Sequence, residues 1–246
     1  MTYLVLLAAF LGASPRSSAQ NPYEFWSRLN VDAHLDSHWV VGGDIMYRRQ
    51  SDYLSHGKDL FQYDLAFIAR LWVYYKLPDE WTVVSSPIAY YRDETLKDPQ
   101  GNLSATHELR SLLGVSKGYT LGKFQNTNRV LYEFSTINYN SPQNYLRHRY
   151  RLFNSLEFPI SKGRTSSQIS YYLFNELFYK TQKGFSSFDQ DHVFNGIKWK
   201  RGNAAWIVGY QYDHQKSGAS FLNKNQFLVS VNLTIAKRIP SGSIHH

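Results

Sequence analysis

The chain has 246 residues, a formal net charge of +8 and no Cys, which excludes disulfides and thiolate chemistry. Its 27 Lys and Arg residues are scattered rather than clustered, which argues against a nucleic-acid-binding surface. Aromatic residues make up 16% of the chain, with 19 Tyr and 6 Trp. Such side chains suit a surface that is apolar on one side and wet on the other.

The first predicted element is an export signal. The sequence MTYLVLLAAFLGASPRSSAQ contains an apolar run at residues 4–11, and Ser17 and Ala19 stand at −3 and −1 of a cleavage site before Gln20. No Lys or Arg precedes the run, which departs from the usual pattern, and a short buried helix is the alternative interpretation. The run is too short to span a bilayer as a helix. We therefore expect residues 1–19 to be a signal peptide.

After this leader, apolar and polar residues alternate in eleven segments, which is the period-two pattern of β-strands. Most segments are longer than the roughly five or six residues usual in soluble sheets. They are long enough for a tilted membrane-spanning strand, which needs about 9–11 residues. The segments lie at roughly 24–35, 39–50, 62–76, 81–93, 105–117, 124–138, 145–158, 167–180, 191–200, 204–215 and 225–237.

The connections between the segments alternate in length. Short turns such as LPDE at 77–80 and RGN at 201–203 alternate with longer polar loops such as SDYLSHGKDLF at 51–61. Outer-membrane barrels show this alternation of short and long connections. We therefore predict one all-β domain over residues 20–239, followed by a short tail at 240–246. The predicted fold is an antiparallel up-and-down transmembrane β-barrel of about 10–12 strands.

The number of segments poses a difficulty, because bacterial single-chain barrels have even strand counts. If the short turns are periplasmic, the segments 39–50 and 225–237 can close ten antiparallel strands with both chain termini on the inner side. The segment 24–35 is then an eleventh, although it alternates well. Either a twelfth strand is hidden or one segment does not span. Whether 24–35 or 39–50 is the partner of the closing strand stays open.

One face of each segment is apolar. In the last segment, QFLVSVNLTIAK, every second residue from Phe227 is apolar. Such a face covers a core in a soluble protein and contacts lipid in an outer membrane. The strand lengths and turn pattern favour lipid. The expected lipid-facing residues are Phe227, Val229, Val231, Leu233 and Ile235, together with Leu65, Phe67 and Leu71 of the third segment.

The opposite faces carry charges of both signs. A charge on the lipid face costs on the order of 2–4 kcal/mol at mid-membrane, so we expect these charges in a narrow lumen. Arg147, Arg149 and Arg151 place three guanidinium groups on one face along about 13 Å of strand. They bind anions or line an anion-preferring pore, or they pair with glutamates of neighbouring strands. The expected lumen charges are Arg70, Arg129, Arg147, Arg149 and Arg151 with Asp64, Glu108, Glu133, Glu157 and Glu176.

Two consecutive segments resemble a known family. The sequence YYLFNELFYK at 171–180, followed by FDQDHVFNGIKWK at 188–200, resembles a bacterial family of predicted outer-membrane barrels known as domain of unknown function 2490. The matching features are Asn175 and Glu176 before an aromatic strand end, and the FDQ that opens the next strand. The likeness extends over roughly residues 24–237. It implies a barrel in the outer membrane and no activity, because the family has none assigned.

Catalytic candidates are weak, since none has the neighbouring residues that a barrel lipase or protease needs. The nine His residues are dispersed, so we expect no metal and no cofactor. The nearest candidates are His107, Glu108 and Ser111 for a lipase, and Asp32 with His34 or Asp191 with His192 for a protease.

The sequence therefore favours a bacterial outer-membrane barrel without catalysis, either a narrow pore or a structural envelope protein. Its expected partners are outer-membrane lipid and the barrel-assembly machinery, with no nucleic acid. Two alternatives stay open. One is a barrel enzyme that acts on lipid or peptide. The other is a secreted soluble β-barrel that binds an apolar ligand inside.

Overall fold

The computed structural model describes most of the chain between residues 22 and 236. The predicted signal peptide at 1–19 and the predicted tail at 240–246 lie outside the described residues, and both stay predictions. No helix within the described part is long and apolar enough to cross a membrane. The described residues are 22–52, 54, 57–96, 101–138, 144–162, 167–182, 185–217 and 220–236.

Within these ranges the chain forms eleven β-strands, which follow the alternating segments of the sequence. Several of the short connections are tight turns that need a left-handed backbone. Gly122 and Gly202 supply it with φ of 62° and 58°, which glycine adopts without steric cost. The strands are β1 (Tyr23–His34), β2 (Trp39–Gln50), β3 (Tyr63–Lys76), β4 (Trp81–Leu96), β5 (Leu103–Leu121), β6 (Phe124–Ile137), β7 (Tyr145–Lys162), β8 (Ser167–Gln182), β9 (Phe185–Arg201), β10 (Ala204–Ser217) and β11 (Ser220–Ala236).

The described strands close into a single barrel in sequence order, which confirms the predicted all-β barrel. Ten neighbouring pairs are antiparallel, and β1 and β11 form one parallel pair in which Tyr23 lies opposite Asn225 and His34 opposite Ala236. An odd number of up-and-down strands leaves the first and last strands running in the same direction, so their pairing has to be parallel.

The structure settles the points that the sequence left open. The strand count is eleven, within the predicted 10–12, and all eleven segments are strands of the barrel. The partner of the closing strand is the segment 24–35, because β1 pairs with β11 on one side and with β2 on the other. The start of β1 and the end of β11 lie at opposite ends of the barrel. Tyr23 lies at the end that carries the longer loops (the long-loop end), whereas Ala236 lies at the end that carries the short turns (the short-turn end).

An irregularity in the β2–β3 pairing reverses two predicted orientations. Arg48 pairs with Ala66 but Arg49 pairs with Asp64, so Leu65 is an extra residue. Such a bulge turns the side chains beyond it to the other face. Asp64 was expected in the lumen, but its side chain is 49% exposed and lies 2.7 Å from Arg49 on the outer face. Leu65 was expected to face lipid, but it lines the internal cavity.

The outside of the barrel is apolar. Every described strand presents at least one large exposed hydrophobic side chain, from Leu29 in β1 to Ile235 in β11, which is 57% exposed. The side chains with least exposure include charged groups, among them Glu133 at 0% and Asp44 at 3%. Soluble proteins rarely expose apolar surface on this scale and rarely bury acids, so the polarity is the reverse of that of a soluble fold.

Aromatic side chains gather on the outer face at the short-turn end. Trp39 and Tyr75 of neighbouring strands have ring centroids 4.7 Å apart. Trp199 stacks on Trp206 at 4.6 Å. Aromatic girdles near the end of the strands are typical of barrels at a membrane–water interface.

The lumen also contains an apolar layer. Phe194 of β9 is fully buried and stacks on Phe174 of β8 with ring centroids 4.9 Å apart. Its ring lies against Gly196 and Gly209, which are opposite each other in β9 and β10. A Cβ atom on Gly209 would lie 2.5 Å from the ring of Phe194, so this position has room only for glycine.

Candidate functional site: the charged lumen

The barrel encloses a cavity of about 730 Å³. It extends from Pro22 and Leu222 at the long-loop end to Asn232 near the short-turn end. Most of its wall consists of inward-facing charged, aromatic and amide side chains. The cavity is therefore the place where the barrel could admit a solute.

A set of arginines and glutamates in the wall forms one connected group, which we call the lumen network. It consists of five arginines and three glutamates from strands β5 to β8. The strand geometry brings them together, because residues two apart point to the same face. The members are Arg110, Arg129, Arg147, Arg149 and Arg151, with Glu108, Glu133 and Glu176.

The long-loop side of the network is built around Glu108. Arg147 Nη2 lies 2.5 Å from one carboxylate oxygen and Arg110 Nη2 lies 2.7 Å from the other. The contact of Arg147 with Glu108 passes over β6, because the two residues lie on β7 and β5. The guanidinium of Arg110 also stacks on the ring of Tyr91, 3.4 Å from its centroid. The network thus connects β4, β5 and β7 across the lumen.

Glu133 is the central acid of the network. Its Oε1 atom accepts hydrogen bonds from Arg149, at 2.5 Å from Nη2 and 2.6 Å from Nε. Arg151 Nη1 lies 3.3 Å from Oε2, and Arg110 Nη1 lies 3.8 Å from Oε1. Glu133 is completely buried. Three guanidinium groups therefore surround one buried carboxylate.

Glu176 is the acid on the other side of the network. Arg151 Nη2 donates to Glu176 Oε1 at 2.9 Å, whereas Arg129 Nη2 lies 3.7 Å from the same oxygen. Arg149 has a second acidic partner outside the network, because its Nη1 lies 3.3 Å from Asp189. Asp189 in turn binds Lys180 at 2.7 Å. The network begins and ends with an arginine, Arg147 at one end and Arg129 at the other.

A second charged cluster lies around Asp44 of β2. Asp44 Oδ2 is 2.6 Å from Arg28 and 2.5 Å from Arg70, and Trp72 Nε1 donates to Oδ1 at 3.3 Å. Arg70 was expected in the lumen, but its expected acidic partners did not include Asp44. The alternation of WVVGGDIMYRR already places Asp44 on the face opposite Ile45, and that parity was the available signal.

A third polar cluster lies along the parallel β1–β11 pair. Glu24 accepts hydrogen bonds from Trp26 Nε1 at 2.8 Å and from Gln226 Nε2 at 2.9 Å. Lys224 lies 3.5 Å from the same carboxylate, and Gln211 donates to Gln226 at 2.5 Å. These residues join β1, β11 and β10 from inside the barrel. Sequence reasoning missed them, because their contacts depend on which strands close the sheet.

Glu157 lies outside the lumen network. Lys198 Nζ is 2.5 Å from Glu157 Oε2, and the two residues lie on β9 and β7. We expected Glu157 to pair with the three arginines in β7. The structure instead places it with a lysine from a strand two positions away.

The lipase candidates do not converge. His107 and Ser111 lie on the face of β5 opposite to that of Glu108, which is buried in the lumen network. His107 Nδ1 is 3.0 Å from the Tyr90 hydroxyl, and Ser111 Oγ donates to the carbonyl of Pro87 at 2.8 Å. These three residues form no catalytic arrangement.

The protease pair of Asp191 and His192 has separate partners. Asp191 accepts a hydrogen bond from Asn175 at 2.6 Å, whereas His192 Nε2 lies 3.5 Å from Asp213 inside the barrel. Asp32 accepts from Asn30 at 3.1 Å. The described residues contain no group of three or more His, Cys, Asp and Glu side chains that could hold a metal ion.

The expected lipid-facing residues other than Leu65 lie on outward positions of β3 and β11. Phe67 and Leu71 are 39% and 46% exposed. In β11, Phe227 and Ile235 are 43% and 57% exposed. Leu233 is likewise exposed, and Val229 and Val231 are half-buried.

These features define the class of the protein as a closed up-and-down β-barrel with a charged lumen and an apolar outer surface. The chain belongs to the family described as "Protein of unknown function (DUF2490)", whose sequence profile matches residues 23–226. This match confirms the family resemblance of the sequence.

Two further comparisons concern single proteins. The crystal structure of the beta domain of the Bordetella autotransporter Brka is similar, with a TM-score of 0.49 and 11% sequence identity. The match covers 78% of this chain and 82% of that chain. No curated protein is significantly similar to the sequence.

Proposed function

We propose that the protein is an outer-membrane β-barrel of a Gram-negative envelope, without catalysis, whose lumen is a narrow passage for small polar solutes. The observation that carries this proposal is the reversed polarity of the barrel. Large hydrophobic side chains are exposed on every strand, and charged groups such as Glu133 are buried inside. In lipid this arrangement is favourable, because the outer side chains leave water and the backbone is hydrogen-bonded within the closed sheet.

The proposed partners are outer-membrane lipid and the barrel-assembly machinery. Lipid acyl chains would cover the outward residues, and the aromatic pair of Trp39 and Tyr75 would lie at headgroup level. Fractionation tests this placement. The account predicts recovery of the protein with the outer membrane. Recovery from the soluble periplasm would instead support the secreted barrel that binds an apolar ligand.

The cavity supports a narrow passage rather than a wide channel. Its length reaches from Pro22 to Asn232, but its volume of about 730 Å³ is small and its walls are crowded by arginine and aromatic side chains. Wide aqueous channels occur in barrels of about sixteen strands or more. A barrel of eleven strands is therefore suited to ions or small solutes.

Planar-bilayer recording tests the passage. The account predicts small unitary current steps for the wild-type protein. Phe174→Ala removes an aromatic side chain from the cavity wall and is expected to enlarge the steps. The matched control is Phe134→Ala, because Phe134 is exposed on the outer face and its removal leaves the lumen unchanged.

A structural envelope role is the second candidate. The tight pairing of Arg149 and Arg151 with buried acids favours it, because these contacts fill the lumen with fixed side chains. Bilayers that stay silent with folded wild-type protein and with Phe174→Ala would support the structural role over the passage.

The enzyme alternative has its own test. A screen for lipid hydrolysis with purified barrel is expected to show no activity, because His107 and Glu108 lie on opposite faces of β5. Hydrolysis that disappears in His107→Ala would contradict the non-catalytic proposal.

A further inference from the structure

We propose that the lumen binds a small oxyanion, a phosphate, sulfate or carboxylate group, at Arg129. This inference rests on the passage proposed above and names the class of solute for it. It separates the arginines of the lumen network into two kinds. Arg149 and Arg151 hold the barrel together, whereas Arg129 is available to a ligand.

Arg129 is the arginine with the weakest partner in the network. Its closest acid is Glu176, and the distance of 3.7 Å between Nη2 and Oε1 is longer than a hydrogen bond. Arg151 already donates to that oxygen at 2.9 Å and 3.1 Å. The Nε atom of Arg129 is buried and has no hydrogen-bond partner among the described residues.

Arg149 and Arg151, by contrast, donate to buried acids and have a structural role. Arg149 donates to Glu133 and to Asp189, and Arg151 donates to Glu133 and to Glu176. Their side chains are 6% and 9% exposed, against 24% for Arg129. Arg129 is thus both less bonded and more accessible from the cavity.

The charge balance of the network points the same way. Five arginines face three glutamates, which leaves two positive charges in excess. Asp189 does not remove this excess, because Lys180 neutralises it at 2.7 Å. A buried charge without a counter-ion is unfavourable, so an anion from solution would stabilise the network.

The groups around Arg129 suit an oxyanion. Its guanidinium carbon lies over the ring of Phe153, 4.6 Å from the ring centroid. Arg28, Tyr74 and Tyr172 line the same cavity as Arg129 and Phe153. Guanidinium and hydroxyl donors together match the geometry of phosphate, sulfate and carboxylate groups.

Of the acids near this part of the lumen, Asp44 is held by other groups, because it is shared between Arg28 and Arg70 at 2.6 Å and 2.5 Å. Asp32 Oδ2 accepts a hydrogen bond from Asn30 at 3.1 Å, whereas its Oδ1 is buried without a hydrogen-bond partner among the described residues. The Nε atom of Arg28, like that of Arg129, is buried without a hydrogen-bond partner among the described residues. Both arginines line the cavity, so each could offer a donor to an oxyanion held there.

The test is calorimetric titration of the refolded full-length barrel in detergent. Inorganic phosphate, sulfate and acetate are titrated separately into the wild-type protein in a constant chloride background. The proposal predicts saturable binding at one site. Arg129→Gln is expected to weaken binding about tenfold or more, because a charge-assisted hydrogen bond is lost. Arg129→Lys keeps the positive charge but lacks the planar guanidinium with its paired donors, and it is expected to weaken binding less than Arg129→Gln.

The matched control is Arg201→Gln, which removes the same charge from an exposed residue at the end of β9. Its binding is expected to stay within about twofold of wild type, since the residue is remote from the cavity wall. A second variant, Tyr74→Phe, keeps the ring and removes only a hydroxyl donor. Tyr74→Phe is expected to weaken anion binding about threefold, and it tests the site independently of whether Arg129→Gln folds. Heat-dependent gel migration reports the folding of each variant.

Two results would overturn the site. One is the absence of saturable binding of all three anions to folded wild-type protein. The other is equal affinity of wild type, Arg129→Lys and Tyr74→Phe. These results are distinguishable from a failure of the proposed passage. Anion binding without bilayer conductance would contradict the proposed passage and support the anion site. Conductance without anion binding would contradict the anion site and support the passage.

Discussion

Arg149 Nη2 lies 2.5 Å from Glu133 Oε1 inside the barrel, and the two side chains are 6% and 0% exposed. The pair therefore exists almost without water. Its stability depends on the further arginines that approach Glu133, namely Arg151 at 3.3 Å and Arg110 at 3.8 Å. The lumen is held together by shared carboxylates rather than by separate ion pairs.

Glu133→Gln tests this dependence. The substitution keeps the shape of the side chain but removes the charge that three arginines share. Because it leaves buried guanidinium groups without a counter-charge, we expect a loss of about 3–5 kcal/mol in the free energy of unfolding. Urea unfolding of the protein in lipid vesicles measures the change.

Glu80→Gln is the control, because Glu80 is exposed in the turn between β3 and β4. It is expected to change the unfolding free energy by less than about 0.5 kcal/mol. Equal effects of the two substitutions would show that Glu133 is not the central acid of the lumen network.

The sequence predicted the strands and the two faces well, because alternation is a local property. Each of the eleven predicted segments overlaps a strand, and the inward parity of Arg147, Arg149 and Arg151 follows from their spacing. The partners were harder to predict. Arg147 reaches Glu108 across an intervening strand, and such a contact depends on the curvature of the closed sheet.

Two other features could not be predicted from the sequence, for physical reasons. The parallel β1–β11 pair follows from closing an odd number of strands, and a sequence pattern carries no information on which edges meet. The extra residue Leu65 shifts the β2–β3 register by one and exchanges the faces of Asp64 and Leu65. Period-two reasoning fails wherever such a bulge occurs.

Leu71→Arg tests the lipid contact of the outer face. Leu71 is 46% exposed on β3, and a charge there is expected to cost about 2–4 kcal/mol in vesicle-inserted protein. Leu77→Arg is the control, because Leu77 is 41% exposed in the turn at the end of the barrel. The control is expected to cost at most about 1 kcal/mol. If both changes were harmless, the outer face of β3 would not contact hydrocarbon.

Gly209→Ala tests the apolar layer inside the lumen. The new Cβ atom would lie 2.5 Å from Phe194 Cζ and even closer to the carbonyl oxygen of Asn195. Overpacking of this kind is expected to reduce the unfolding free energy by about 1–3 kcal/mol. Gly43→Ala is the matched control, since its Cβ would meet nothing closer than 3.5 Å. A stable Gly209→Ala variant would mean that the ring of Phe194 does not lie against this glycine.

Cysteine cross-linking tests the parallel closure. The chain has no Cys, so Ser27→Cys with Val229→Cys introduces one defined pair at opposed positions of β1 and β11. Neighbouring strands place such residues within disulfide reach, and we expect rapid oxidation to an intramolecular cross-link on a non-reducing gel.

The control pair is Tyr47→Cys with Val229→Cys. Tyr47 lies opposite Ser27 on β2, so it is two strand spacings, about 9–10 Å, from Val229. That distance exceeds the reach of a disulfide. A cross-link in the control pair and none in the test pair would indicate a ten-stranded barrel closed by β2 and β11.

The central claim is that the barrel spans a membrane. The most direct measurement compares boiled and unboiled samples of the membrane-bound protein on SDS gels after a carbonate wash. The account predicts that the protein stays in the washed membrane and that the unboiled sample migrates differently from the boiled one, because the closed sheet resists SDS until it is heated. Release by carbonate together with identical migration of the two samples would contradict it.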